Sequence, residues 1–165
     1  STGSISTNTL ESVGFTTQNF ITPHPSLNIM YICNNTTVYS FTMNTTTGVL
    51  TLQSNLIPVG STTIRGLSVD ASGKFLYAAD SGAGRVHLLN LGSDGSITTT
   101  ATAITGLSSP VAVVTEPSSR FVFIGDSINT KVYSIDTTNG ALTLISSLAG
   151  AVGTATSLAI AGYIQ

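Results

Sequence analysis

The strongest constraint on this chain is a phrase that it uses three times. Aligned on an aromatic residue, Tyr31, Tyr77 and Phe123 stand 46 residues apart. PHPSLNIM, DASGKFL and EPSSRFV precede them, and ICNNTTVYSF, AADSGAGRVHLL and IGDSINTKVYSI follow. Each copy then reaches a glycine turn, at Thr47-Gly48, Asp94-Gly95 or Asn139-Gly140. It leaves that turn through VLTLQS, SITTTA or ALTLIS. A period of this length denotes repeated supersecondary units, each needing a neighbour to cover an apolar face.

One period holds four strand signals. In the second copy they are Leu67-Ser68-Val69, Phe75 to Ala78, Val86 to Leu89 and Ile97 to Thr100. Gly, Asn, Asp and Ser punctuate them, and the Asp-Gly and Asn-Gly pairs are hairpin turns that accept positive φ. No segment carries a sustained 3.6-residue apolar period, so almost no helix is expected. Four short antiparallel strands per period predict a β-propeller blade.

The register runs on to both ends. Thr2 to Thr7 repeats the fourth-strand phrase, and Thr156 to Ala161 repeats the first-strand phrase of Pro110 to Thr115. The expected fold is therefore all-β, an incomplete propeller of three four-stranded blades with one extra strand at each terminus. Its parts are a lone outer strand over 1–14, blades over 15–59, 60–106 and 107–152, and a lone inner strand over 153–165. The start at Ser1 fits either a removed leader or a piece of a longer chain.

The phrases DASGKFLYAADSGAGRVHLLNL and EPSSRFVFIGDSINTKVYSIDTTNGALTLI resemble repeats of the lactonase-type (YVTN-type) β-propellers, which include 6-phosphogluconolactonase-like proteins. The resemblance covers most of residues 15–160 and is weakest in the first copy. It implies a ring of seven blades, of which three are here. Blades of this type serve many functions, so the resemblance speaks for the fold before any activity.

Charge excludes some partners. Five Lys and Arg and seven Asp and Glu give a net charge of −2, with charged residues only 7% of the chain. Such a chain offers no basic patch for nucleic acid. No apolar run is long enough to span a membrane as a helix. Ser and Thr make up roughly 30% of the residues, far above the globular norm. A surface of hydroxyls repels its copies weakly and favours association. This composition suits an extracellular or cell-surface protein.

Candidate site residues are few. His24, Asp70 and Glu116 share one repeat position, the turn between the first two strands, where such residues bond backbone. Asn34, Asp80 and Asp126 form a second such set, and Asn44, Asn90 and Asp136 a third; all are expected to cap loops. Arg65 breaks the repeat, since Asn19 and Val111 occupy its position, and it falls on or near the innermost strand, where it could hold an anion. Glu11 is the other charge that does not recur. Arg65 and Glu116 are the weak catalytic candidates. Cys33, the single cysteine, reads as a small buried hydrophobe. No metal set, phosphate loop or dinucleotide fingerprint is visible, and no cofactor is implied. Asn34, Asn35 and Asn44 begin N-glycosylation patterns, so covalent glycans are possible partners.

These features favour a non-enzymatic extracellular structural or adhesion module that associates with copies of itself through its open ends, in a ring or filament. The assembly strands would be Ser4, Ile5 and Ser6 at one end and Leu158, Ala159 and Ile160 at the other. One alternative is a fragment of a lactonase-like hydrolase acting on a sugar lactone. Another is a ligand- or protein-binding propeller piece.

Overall fold

The computed structural model describes residues 20–149 and 157–159. Twelve strands form three four-stranded antiparallel sheets, each in simple sequence order. Blade 1 holds β1 (Phe20–Pro23), β2 (Ile29–Cys33), β3 (Val38–Met43) and β4 (Leu50–Leu56). Blade 2 holds β5 (Ile64–Val69), β6 (Phe75–Asp80), β7 (Arg85–Leu91) and β8 (Ile97–Ile104). Blade 3 holds β9 (Ala112–Thr115), β10 (Phe121–Gly125), β11 (Asn129–Ile135) and β12 (Leu142–Ala149). No helix occurs among the described residues. The first strands gather at a common axis, with β1 against β5 and β5 against β9. This is an incomplete β-propeller. The expected terminal strands lie outside the described residues except for 157–159, which form no strand. No described strand pairs with that segment, and an unpaired strand has no ladder to hold it.

Alternation along the strands explains the packing. In β6 every residue is buried, because successive side chains point to opposite faces and both faces are covered. Phe75, Tyr77 and Ala79 meet Val122, Ile124, Tyr133 and Ile135 of blade 3. Leu76 and Ala78 meet Ile29, Tyr31 and Val38 of blade 1. The core is thus two apolar seams between blades. Each large side chain buried there stabilises the fold by about 1.5–3 kcal/mol.

A polar latch accompanies each seam. The Tyr31 hydroxyl donates to the Gly95 carbonyl at 2.8 Å, and the Tyr77 hydroxyl donates to the Gly140 carbonyl, also at 2.8 Å. Both bonds reach from a second strand to the hairpin turn of the next blade. Both turn residues must be glycine, for two reasons. Their φ values are +77° and +75°. In addition, a Cβ would fall 2.9 Å from Ile29 Cγ1 at position 95 and 2.7 Å from Phe75 Cδ1 at position 140. Burial raises the pKa of both phenols, and Asp94 and Asp70 respectively add to the rise, so both stay protonated donors. The third aromatic of the set, Phe123, has no hydroxyl to give.

Buried carboxylates fasten the loops. Asp80 accepts from Thr62 N, Thr63 N and Thr62 Oγ1, each at 2.9 Å, and from Ala83 N and His87 Nε2, each at 3.1 Å. It thereby ties the β6–β7 loop to the segment entering the blade. Asp126 does the same in blade 3, accepting from Ile128 N, Asn129 N, Ser108 N and Lys131 Nζ. Burial alone would raise the Asp80 pKa, but its hydrogen bonds outweigh burial and hold it below the usual carboxylate range. Burial pushes His87 below its ordinary value against the opposing pull of Asp80, so the ring stays neutral.

Two predictions follow from these contacts. Tyr77→Phe leaves the Gly140 carbonyl without its donor and costs about 1–2 kcal/mol in denaturant melts. A lowered His87 pKa means that the unfolded chain takes up a proton which the folded chain refuses. Stability is therefore held at neutral pH and falls as pH drops below about 6.5, where an unfolded histidine titrates. His87→Phe, copying Phe41 of blade 1, flattens the Tm profile between pH 7 and 5.

Candidate functional site

The antiparallel register sorts the loops onto two ends. Ile64 pairs with Asp80 and Asp80 with Arg85, so the start of β5, the β6–β7 loop and the blade-to-blade connections share one end. The turns after the first and third strands share the other. Among the described charges, Arg65, Arg85 and Lys131 lie at the first end with the buried Asp80 and Asp126. Asp70, Asp94, Glu116 and Asp136 lie at the second end with Lys74 and Arg120. The first end is therefore the cationic one.

Arg65 is the second residue of β5, the first strand of blade 2. It lines a groove of about 160 Å³ with Phe20, Ile21, Leu67, Val113, Ser157 and Leu158. Gly66 lets the inner strands come together, since a Cβ there would lie 3.0 Å from the Val111 carbonyl oxygen. A guanidinium beside apolar strands is suited to a carboxylate or phosphate. Leu158 reaches this groove half-buried and Ala159 is exposed. Ser4, Ile5, Ser6, Glu11 and Ile160 lie outside the described residues.

Glu116 does not join Arg65. It occupies the repeat position of Asp70, five residues beyond that of Arg65, or about 17 Å along an extended strand. Its carboxylate accepts from Ser118 N at 2.8 Å, Arg120 N at 2.7 Å, Phe121 N at 3.2 Å and the Ser118 hydroxyl. Burial would raise its pKa, but these bonds prevail and lower it. A carboxylate so held is a turn cap and a poor proton donor at neutral pH.

Its repeat partners have the same work. Asp70 accepts from Lys74 N and Phe75 N, and from Ser119 Oγ of the next blade at 3.2 Å. His24 Nδ1 accepts from Ser26 N and Leu27 N, which leaves Nε2–H to donate to the Gly73 carbonyl of the next blade at 3.2 Å. Asn34 Oδ1 accepts from Thr37 N, and Asn44 Oδ1 from Thr46 N and Thr47 N. Asn90 departs from the expected cap. β7 runs on to Leu91, so Asn90 lies within the strand and donates to Thr99 Oγ1, while Asp94 caps the turn through Ser96.

The remaining groups divide clearly. Cys33 is fully buried, and burial pushes its thiol up to about 11, so it is a poor nucleophile. No group of three His, Cys, Asp or Glu among the described residues could hold a metal. Of the glycosylation patterns, Asn35 and Asn44 are exposed, whereas Asn34 is half-buried and donates its amide to the Tyr39 hydroxyl. A second cavity of about 440 Å³ lies between blades 1 and 2 at the opposite end, beside His24, Ser72 and Lys74. Sequence reasoning missed the Asp80–His87 pair. Its only signal was a histidine where the other copies have Phe41 and Tyr133.

Solved structures share the architecture. A Bacteroides fragilis protein assigned by name to the 6-phosphogluconolactonases superimposes with a TM-score of 0.70 at 19% identity, over 79% of this chain and 38% of its own. A Bacteroides uniformis protein of the same assignment gives 0.61 at 14% identity, over 79% and 40%. Sqt1 of Saccharomyces cerevisiae gives 0.65 at 19% identity, over 81% and 35%. At such identities the likeness is one of fold. The chain spans about two fifths of the length of these proteins or less. No curated protein matches it. The pattern of the seven-bladed β-propeller lactonases does match, over residues 21–159, and with three blades on one axis the chain belongs to that family.

Proposed function

We propose that the outward face of blade 3 docks a further blade of the same type, and that a second copy of this chain supplies it. One observation carries this reading. In blade 2, Phe75 and Tyr77 are 5% and 0% exposed beneath blade 3. Their repeat partners on the corresponding face of blade 3, Phe121 and Phe123, are only partly covered. A row that blade 2 hides, blade 3 leaves open.

Repeat equivalence supports a blade of the same type as the occupant. The side chains that cover blade 2 are Val122, Ile124, Tyr133 and Ile135. The residues at those positions in blade 1 are Met30, Ile32, Phe41 and Met43, all apolar. Ile32 and Phe41 are already buried, so the half-buried Met30 and Met43 would make the contact, and the face of blade 3 is the more open of the two. Leu144, Ile145 and Leu148 of β12 are each more than half exposed and extend the apolar surface. Contact between unlike faces closes into a ring or grows into a filament, depending on the rotation at each step. The hydroxyl-rich, weakly charged surface supports association and a place outside the cell, with Asn35 and Asn44 as glycan acceptors.

Family membership favours a second reading, part of a propeller hydrolase acting on a sugar lactone. Arg65 in the axial groove would then stabilise the oxyanion that forms on the lactone carbonyl. Glu116 is no part of that site.

Sedimentation velocity separates the two. The first reading expects assemblies that grow with concentration, and association weakened by about tenfold or more in Phe123→Asp. A folded monomer at every concentration would overturn it. The second expects lactone hydrolysis that drops by about tenfold or more in Arg65→Ala, with Glu116→Ala losing stability but keeping the rate. An intact parent propeller without hydrolysis removes this reading.

A further inference from the structure

We propose that Arg85 and Ser61 form a binding site for a small oxyanion, a phosphate- or carboxylate-bearing ligand, at the junction of blades 1 and 2. Arg85 opens β7 at the cationic end. Its repeat partner Lys131 pairs with Asp126 at 3.0 Å. The matching carboxylate for Arg85 is Asp80, which stands directly across the ladder from it. Asp80 is already occupied by Thr62, Thr63, Ala83 and His87. The guanidinium therefore lacks the partner that its position supplies in blade 3.

Two buried polar atoms remain without hydrogen-bond partners here, Arg85 Nε and Ser61 Oγ. A buried polar group without a partner is costly to keep, and an added ligand oxygen would satisfy both of these. Gly60 links them. It adjoins Ser61 in sequence, and a Cβ on it would lie 3.1 Å from Arg85 Nη1. Its φ of +72° also calls for glycine. The turn thus brings the chain against the guanidinium without a side chain between. A forked guanidinium with an adjacent hydroxyl suits a ligand with several oxygens, because the fork gives two parallel N–H donors and the hydroxyl a third. Arg85 also disfavours a proton on His87, so an anion beside Arg85 would relieve that effect.

The test is calorimetric titration of the whole chain with inorganic phosphate, and separately with gluconate, at fixed ionic strength. Saturable binding is expected for at least one. Phosphate alone would assign a phosphorylated ligand, and gluconate alone a carboxylate. Arg85→Gln should weaken binding by about tenfold and Ser61→Ala by several-fold. Arg85→Lys keeps the charge but loses the fork, and should also weaken binding while preserving the fold. Arg120→Gln, at the opposite end of the blades, where its guanidinium donates to Ser118 Oγ, should leave it unchanged, which separates a built site from a general effect of positive charge. Absence of saturable binding to the wild-type chain overturns the proposal. Equal affinity in a folded Arg85→Gln variant does so too, as does equal loss on Arg120→Gln.

Discussion

Everything in this structure depends on one blade covering the next. A single four-stranded sheet here has two apolar faces and no interior of its own. Blade 2 is the one fully served, with Leu76 and Ala78 against blade 1 and Phe75 and Tyr77 against blade 3. The other contacts gather around those seams. The tyrosine latches close over them, and Asp70 and His24 reach across to the neighbouring turn. Asp80 and Asp126 fix the loops at the far end. The polar bonds give each seam its register, and the apolar rows supply most of the stabilisation.

Much of this was legible in the sequence, and the reason is the repeat. A 46-residue period with four alternating runs leaves few other folds, and the strands of blade 2 fall where the apolar runs predict. The turn set His24, Asp70 and Glu116 was legible too, because a short polar side chain at a turn bonds the backbone locally. What stayed hidden depends on distance along the chain. The bond from Tyr31 to Gly95 spans 64 residues, and no local pattern announces it. Asn90 misled because alignment by period assumes equal strand lengths, and β7 extends to Leu91 before turning. His87 was a lone substitution in a repeated slot, and its partner was visible only once β6 and β7 were paired.

The two ends differ in charge character although the repeat is uniform. At one end Arg65, Arg85 and Lys131 outnumber the two buried carboxylates, Asp80 and Asp126, so the balance of charge there is positive. At the other end Asp94 and Asp136 sit in exposed turns. With so few charges in the chain, this small imbalance has little to oppose it, and it gives the axis a direction. An anionic ligand would be drawn to the Arg65 and Arg85 end.

The latches also have a direction. Each tyrosine reaches forward, to a glycine turn that is made 63 or 64 residues later. A ribosome delivering this chain would release blade 1 with its hydroxyl and apolar row waiting for a partner not yet synthesised. Each blade is thus a template finished by its successor, since its latch has no acceptor until the next hairpin turn is made. An aromatic without a hydroxyl at the third position, Phe123, marks the step at which that forward-reaching bond stops.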